Sequence, residues 1–162
     1  MRLIQTACCI ALTLPLFAYA APAHVHGVAK IALAVDGDQL TLSMEMPLDN
    51  LVGFEYLPKT DKQKAALAEA MTSLKNAADL FVPTAAAGCK VEAVDGGDPF
   101  PGGKAKADGH ADVDADYVFR CAQPAALKGL ETKLFKRFGR LQRIDVQRAT
   151  AAGQGAATLT PE

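Results

Sequence analysis

Three histidines are the residues of this sequence best suited to bind a metal ion. His24 and His26 belong to the tetrapeptide His24-Val25-His26-Gly27. In an extended chain, residues two apart project to the same side, so these imidazoles would share one edge. A further ligand beside them would complete a transition-metal site, since Zn²⁺ accepts imidazole and carboxylate in a tetrahedron. Cu²⁺ and Ni²⁺ also accept imidazole, so the ligand types leave the identity of the ion open.

The third histidine opens an acidic segment. His110 is followed by Asp112, Asp114 and Asp116 at alternate positions, which places one imidazole and three carboxylates on one face of a strand. This face would complete the site if its strand lies beside the N-terminal segment. The alternatives are a solvated strand face for the aspartates and, for His24 and His26, a chain terminus that binds nothing specific.

Motifs of known enzyme classes are absent from the sequence. Ser43 and Ser73 are its only serines, and neither lies in a G-x-S-x-G elbow. There is no glycine-rich phosphate loop, H-E-x-x-H or dinucleotide fingerprint. We therefore expect a protein that is not an enzyme. The formal net charge of −1, which becomes −2 without Arg2, gives no reason to expect nucleic-acid binding.

The first twenty residues are typical of a secretory signal peptide. Arg2 is followed by the largely apolar run Leu3 to Phe17, and Ala18-Tyr19-Ala20 provides the small-x-small cleavage pattern. The run is shorter than the roughly 20 residues that span a bilayer. Cleavage after Ala20 would leave residues 21–162 as a single domain outside the cytoplasm, with no membrane span.

Cleavage would also leave two cysteines, Cys89 and Cys121. In an oxidising compartment one intrachain disulfide is then possible. A free thiol pair and a pair of thiolate metal ligands are the alternatives. The sequence has no C-x-x-C motif, so a thioredoxin-type redox role is unsupported.

The periodicity of apolar residues predicts the strands and the helix that position these residues. Alternating runs on either side of Asp36-Gly37-Asp38 predict a β-hairpin. Thr60 and Gln63 form a capping box that begins an amphipathic helix, which Pro83 ends. Its predicted core-facing residues are Leu67, Met71, Leu74, Ala78 and Phe81.

The second half of the chain predicts further strands. One begins at Cys89 and another runs from Ala111 to Cys121, and the glycine- and proline-rich segment at about 95–109 between them predicts a flexible loop. Later strand patterns surround Leu130, Ile144 and Thr158. The predicted fold class is α+β, a mainly antiparallel sheet with one substantial amphipathic helix and one disulfide.

Seven segments spread along the chain form an ordered set of motifs: Ala23–Ala29, Pro47–Glu55, Cys89, His110–Val113, Tyr117–Cys121, Leu134–Phe138 and Gly153–Ala156. Together they resemble the ZrgA-like periplasmic proteins of Gram-negative bacteria, a family associated with zinc acquisition. The resemblance covers nearly all of the chain after residue 20.

The resemblance implies zinc ligands at His24, His26 and His110, with Asp112 as a neighbour. It also implies a periplasmic, non-enzymatic accessory role, with components of a zinc importer as partners. One feature departs from the family, whose members often carry a histidine-rich segment before the His-Ala-Asp motif. The matching segment here, residues 95–109, has lysines and glycines but no histidine, so a small site rather than a reservoir is expected.

Two main functional hypotheses follow, beside a third and weaker one, an enzyme whose site the known motifs do not reveal. In the first, neutral imidazoles bind the ion, and binding weakens below about pH 6 as they protonate. In the second, the protein is a metal-free interaction module whose apolar connector Leu51-Val52-Gly53-Phe54 is the docking surface. Alanine substitution of the three histidines separates them, because only the first predicts a loss of metal affinity.

Overall fold

The computed structural model describes residues 24–106 and 109–161. The predicted signal peptide, residues 1–20, lies outside these ranges. The strands are β1 (Val28–Asp36), β2 (Gln39–Pro47), β3 (Phe81–Pro83), β4 (Cys89–Gly96), β5 (Asp112–Cys121), β6 (Leu130–Thr132), β7 (Arg143–Thr150) and β8 (Gly153–Leu159). The helices are α1 (Asp49–Val52), α2 (Asp61–Lys75), α3 (Ala77–Leu80) and α4 (Leu134–Arg137).

Within the described residues, six strands form the main sheet, in the order β4-β5-β2-β1-β7-β8. All neighbouring pairs are antiparallel except β1 and β7, which are parallel. The strands β3 and β6 form a separate two-stranded ladder. The predicted α+β class with a mainly antiparallel sheet is confirmed.

The predicted hairpin is present and has a two-residue turn. Asp36 pairs with Gln39, so Gly37 and Asp38 make the connection. Gly37 has a positive φ of 57°, which glycine adopts without the steric cost that a Cβ imposes. The predicted hairpin between β1 and β2 is therefore confirmed.

The helix α2 begins as predicted and ends earlier than predicted. The Thr60 side chain accepts from the Gln63 N–H, and Gln63 accepts from the Thr60 N–H, which completes the capping box. Asn76 then leaves the helical region with ψ of 66°, and the separate short helix α3 begins at the next residue. This break shifts the buried face, so Ala77 and Leu80 are buried while Ala78 is exposed.

Alternate residues of the central strands form the core. In β5, Val113, Ala115, Tyr117 and Phe119 are buried, whereas Asp114 and Asp116 face solvent on the other side. Ala70 and Leu74 of α2 join the same apolar cluster. The predicted disulfide joins Cys89 to Cys121, which are directly paired across β4 and β5. Within the described residues, no helix is both long and apolar enough to cross a membrane.

The glycine-rich segment after β4 has one anchor in the core. Phe100 is buried and belongs to the main apolar cluster. Its N–H donates to Asp98 Oδ1 at 2.9 Å, and a 3₁₀ turn follows at Pro101–Gly103. This anchor fixes the middle of the connection between β4 and β5. Flexibility over residues 95–109 stays a prediction.

Candidate metal centre

Three separate parts of the chain meet at one end of the main sheet. Because β2 is antiparallel to both β1 and β5, its last residues lie between the first residues of those two strands. His24 and His26 precede β1, and His110 and Asp112 stand at the start of β5. Glu55 follows α1, which continues directly from the end of β2. The topology thus places all five side chains at the same end of the sheet.

A buried asparagine holds the histidine segment in position. The Asn50 side chain is fully buried, its Oδ1 accepts from the Gly27 N–H at 2.6 Å, and its Nδ2 donates to the Val28 carbonyl at 2.9 Å. The Gly27 carbonyl in turn accepts from the backbone N–H groups of Gln142 and Arg143. These bonds fix the backbone immediately after His26.

The connector that carries Glu55 is tied down from two sides. The Leu48 N–H donates to the Ala111 carbonyl at 2.8 Å, which joins this connector to the start of β5. Arg140 donates from Nε to the Asp49 carbonyl at 3.0 Å and lies 3.2 Å from its carboxylate. Phe54 is buried. The apolar connector that was the candidate docking surface therefore packs partly against the core, with Leu51 and Val52 half-buried.

Glu55 lies at the centre of the histidine cluster. Its Oε1 is 3.2 Å from His24 Nε2 and 3.2 Å from His26 Nε2. Its Oε2 is 3.0 Å from His110 Nδ1. The Glu55 side chain is only 10% exposed, and that of His24 only 12%. The imidazoles of His26 and His110 are each 56% exposed and form the solvent side of the cluster.

Asp112 contacts the far side of His24. Its Oδ1 lies 2.5 Å from His24 Nδ1, so His24 is placed between two carboxylates, one at each ring nitrogen. The other Asp112 oxygen accepts from Lys106 Nζ at 3.0 Å. Lys106 comes from the segment at residues 95–109, which contains no histidine. With neutral imidazoles, the two carboxylates and the one ammonium leave the cluster with one net negative charge.

The buried atoms at the centre of the cluster lack hydrogen bonds. Among the described residues, His24 Nε2, Glu55 Oε1 and Asp112 Oδ1 are buried side-chain atoms without a hydrogen-bond partner, although they approach one another closely. Buried polar atoms are normally paired, because an unpaired one loses its hydration without compensation. A cation between Glu55 Oε1 and His24 Nε2 would compensate those two atoms, whereas Asp112 Oδ1 lies against Nδ1 on the other side of the His24 ring.

The distances also fit a metal ion. Ligand atoms from His24, Glu55 and His110 all lie within 4.8 Å of one another. With ligands at about 2.0–2.1 Å from a tetrahedral Zn²⁺ ion, ligand atoms are about 3.3 Å apart. The 3.2 Å separations of Glu55 Oε1 from His24 Nε2 and His26 Nε2 are close to this value. Nitrogen and carboxylate donors suit zinc, so the donor chemistry fits as well.

The sequence-predicted residues His24, His26, His110 and Asp112 all lie near Glu55, but in the described residues the ligand atoms within 4.8 Å of one another belong to His24, Glu55 and His110 alone. Within the described part of the cluster, His26 forms an ion pair only with Glu55 Oε1, and Asp112 contacts His24 from the other side. The spacing of residues in the sequence did not indicate that Glu55 and Asn50 belong to the site. Glu55 ends the Pro47–Glu55 segment that carries part of the family resemblance, but nothing in its spacing relates it to a histidine. Asn50 belongs to the same segment, and a polar residue within an apolar connector was its only signal.

Comparison with known proteins gives one result that bears on this site. Residues 23–162 match the model of a family described as ZrgA family zinc uptake protein. A search of curated proteins finds no match. The matched range includes every residue of the cluster and extends over most of the chain, so the chain belongs to this family.

Proposed function

We propose that this member of the ZrgA family is an exported, non-enzymatic zinc-binding protein that serves zinc acquisition in the periplasm. The observation that carries the proposal is the pair of buried atoms His24 Nε2 and Glu55 Oε1. They lie 3.2 Å apart with no hydrogen bond between them, at about the spacing of two ligands on one zinc ion. Family membership supports zinc as the cargo.

In the proposed site, each residue has its own role. His24 Nε2, Glu55 and His110 form the core of the ligand set. His26 Nε2, which approaches the same Glu55 oxygen from the exposed side, supplies the fourth ligand. A closed four-ligand set leaves no position for a reacting water. This arrangement favours binding of the ion over catalysis by it.

Asp112 is proposed as a positioning residue. It lies against Nδ1 of His24, on the side of the ring away from Glu55. A carboxylate at this nitrogen keeps its proton in place and leaves Nε2 free to bind a metal, an arrangement common around zinc-bound histidines. Lys106 holds the second oxygen of Asp112.

The exposure of the two outer histidines suits a protein that releases its cargo. His26 and His110 are each about half exposed, so a partner can reach the ion from their side while His24 and Glu55 remain buried. Components of a zinc importer are the partners we propose. The segment at residues 95–109 offers lysines and no histidine, which favours one ion per chain over a reservoir.

Zinc titration by calorimetry on oxidised residues 21–162 tests the proposal. We expect one tight site per chain, and a loss of that site in the His24→Ala/His26→Ala double variant. Circular dichroism and retention of the Cys89–Cys121 disulfide control for folding. Weak binding that the double variant leaves unchanged would refute the zinc site and favour the metal-free interaction module.

A further inference from the structure

An apolar groove lies between the core face of the main sheet and the segment that leads into β6. Its volume is about 910 Å³, which is within the range of small-molecule binding sites in proteins. Leu33, Val35 and Val146 line it on the sheet, and Leu127 and Leu130 line it on the facing segment. All five side chains pack against the main apolar cluster but remain partly exposed. The groove is therefore an open extension of the core.

Two cations line the groove, and no carboxylate among the described residues does. Arg148 of β7 comes from the sheet, and Lys128 comes from the facing segment. The Arg148 guanidinium lies over Gly155 of β8, where a Cβ would be 2.9 Å from Nε, so the glycine leaves room for it. Within the part of the chain that the structure describes, neither cation forms an ion pair. An anionic group on a ligand would therefore find two unpaired positive partners here.

The backbone around the groove is already hydrogen-bonded. The strands beneath it, β1, β2, β7 and β8, pair with one another in the sheet. In the facing segment, the N–H groups of Lys128 and Gly129 donate to Thr84 Oγ1, and the Gly129 carbonyl accepts from the Thr84 N–H. A peptide lying along this groove would leave its own amides without partners, which is costly in an apolar environment. A hydrocarbon chain has no such groups, so it suits the groove better.

We infer that this groove binds one acyl chain with an anionic head group, a ligand of the fatty-acid class. The chain lies against Leu33, Val35 and Val146, which removes its apolar surface from water. The carboxylate accepts charge-assisted hydrogen bonds from Arg148 and Lys128. The residues that line the groove include none of the proposed zinc site, so this binding is independent of zinc.

Calorimetric titration with laurate, kept below its micelle-forming concentration, tests the inference on oxidised, zinc-free residues 21–162. We expect one saturable site per chain, with a dissociation constant on the order of 10 μM. Decanoate is shorter by two methylenes and should bind about tenfold more weakly, because each buried methylene adds to the affinity. Dodecyltrimethylammonium carries the same chain with a positive head group and should not bind measurably.

A double variant tests the two cations. Lys128→Gln/Arg148→Gln should weaken laurate binding at least about tenfold, as expected when hydrogen bonds to a charged group are lost. Lys90→Gln/Arg143→Gln is the matched control, since it removes the same charge from exposed positions that do not line the groove. We expect this control to bind laurate like the unsubstituted protein.

Substitutions in β8 test the groove itself. Ala157→Trp fills the groove from its β8 side and should abolish laurate binding. Ala156→Trp places the same side chain on the other face of the strand and should not. Circular dichroism confirms that every variant folds.

The inference is overturned if laurate shows no saturable binding or if dodecyltrimethylammonium binds equally well. It is also overturned if either Lys128→Gln/Arg148→Gln or Ala157→Trp leaves the laurate affinity unchanged. If laurate does not bind, saturable binding of an acidic apolar peptide, or a dimer that Ala157→Trp disrupts, would assign the groove to a protein instead.

Discussion

Both ends of β5 carry a cluster of charged side chains, and the two clusters differ in how completely their groups are paired. At the end of the strand, Arg120 donates to both oxygens of Asp38 at 2.8 and 2.9 Å and to both oxygens of Glu92 at 3.0 and 3.1 Å. At the start, Asp112 and Glu55 surround His24, yet buried atoms of all three lack hydrogen bonds.

The difference shows what separates a structural ion cluster from a binding site. Hydrogen bonds from Arg120 lower the pKa of the Glu92 carboxyl, and the two carboxylates raise the pKa of Arg120, so each group stabilises the charge of the other. In the cluster of Arg120, Asp38 and Glu92, the charged groups are therefore paired with one another. In the cluster at Glu55, by contrast, His24 Nε2, Glu55 Oε1 and Asp112 Oδ1 are buried without a hydrogen-bond partner among the described residues.

An unpaired buried atom alone is insufficient for a site. The Tyr117 hydroxyl, in the middle of β5, is also buried and has no hydrogen-bond partner among the described residues. Burial raises the pKa of this hydroxyl. Its ring packs against Phe81 with centroids 4.9 Å apart, in an apolar environment that offers no ligands. Convergence of several donors distinguishes the centre at Glu55.

The largest predicted effect comes from removing the central carboxylate. Glu55→Gln retains the size of the side chain but loses its charge, so zinc affinity should fall by more than the roughly 10–100-fold typical of residues that only support a ligand. Glu92→Gln, at the other end of β5, is the matched control and should bind zinc normally. Competition with a chromogenic chelator measures both, and equal affinities would contradict the assignment of Glu55.

A smaller effect is expected at Asp112. Because it orients His24 in the proposed site, Asp112→Asn should weaken zinc binding by about 10–100-fold without changing the ligands themselves. X-ray absorption of the zinc-loaded variant should therefore show the same coordination number. Asp116→Asn, four residues later on the same exposed face, should leave the affinity unchanged. Loss of one oxygen ligand in Asp112→Asn would make Asp112 a direct ligand.

The smallest effect is expected from substitution in the cluster of Arg120, Asp38 and Glu92. Arg120→Gln should lower Tm slightly at pH 7, since exposed ion pairs contribute little, and should not alter zinc affinity. The folded-state pKa of Glu92 lies below its ordinary value of 4.5. Its stabilising contribution is therefore present above that value and is lost as the pH falls through the folded-state pKa.

The Tm difference between Arg120→Gln and the unsubstituted protein should accordingly decrease as the pH falls below 4.5 and Glu92 becomes protonated. Thermal denaturation followed by circular dichroism from pH 7 to pH 3 tests this. A difference that does not decrease over this range would contradict a stabilising contribution from the pairing of Arg120 with Glu92.

Local patterns in the sequence were sufficient for much of the fold. The Asp-Gly turn, the Thr60–Gln63 capping box and the alternation of β5 each depend on residues close together in the chain, and all three are present. The end of α2 was predicted too far along, because a break at Asn76 shifts the helical period within a continuing apolar pattern. The pairing of β7 parallel to β1 had no local signal.

The sequence by itself determined which candidate ligands could be named from spacing: three histidines, two of them two residues apart, and an aspartate-rich strand behind the third. Only the tertiary structure decided that these groups meet and that Glu55 lies at their centre. The physical reason is the register of the sheet, which sets the starts of β1 and β5 on either side of the end of β2. Register depends on contacts between residues far apart in the chain, which the spacing of residues along the sequence does not contain.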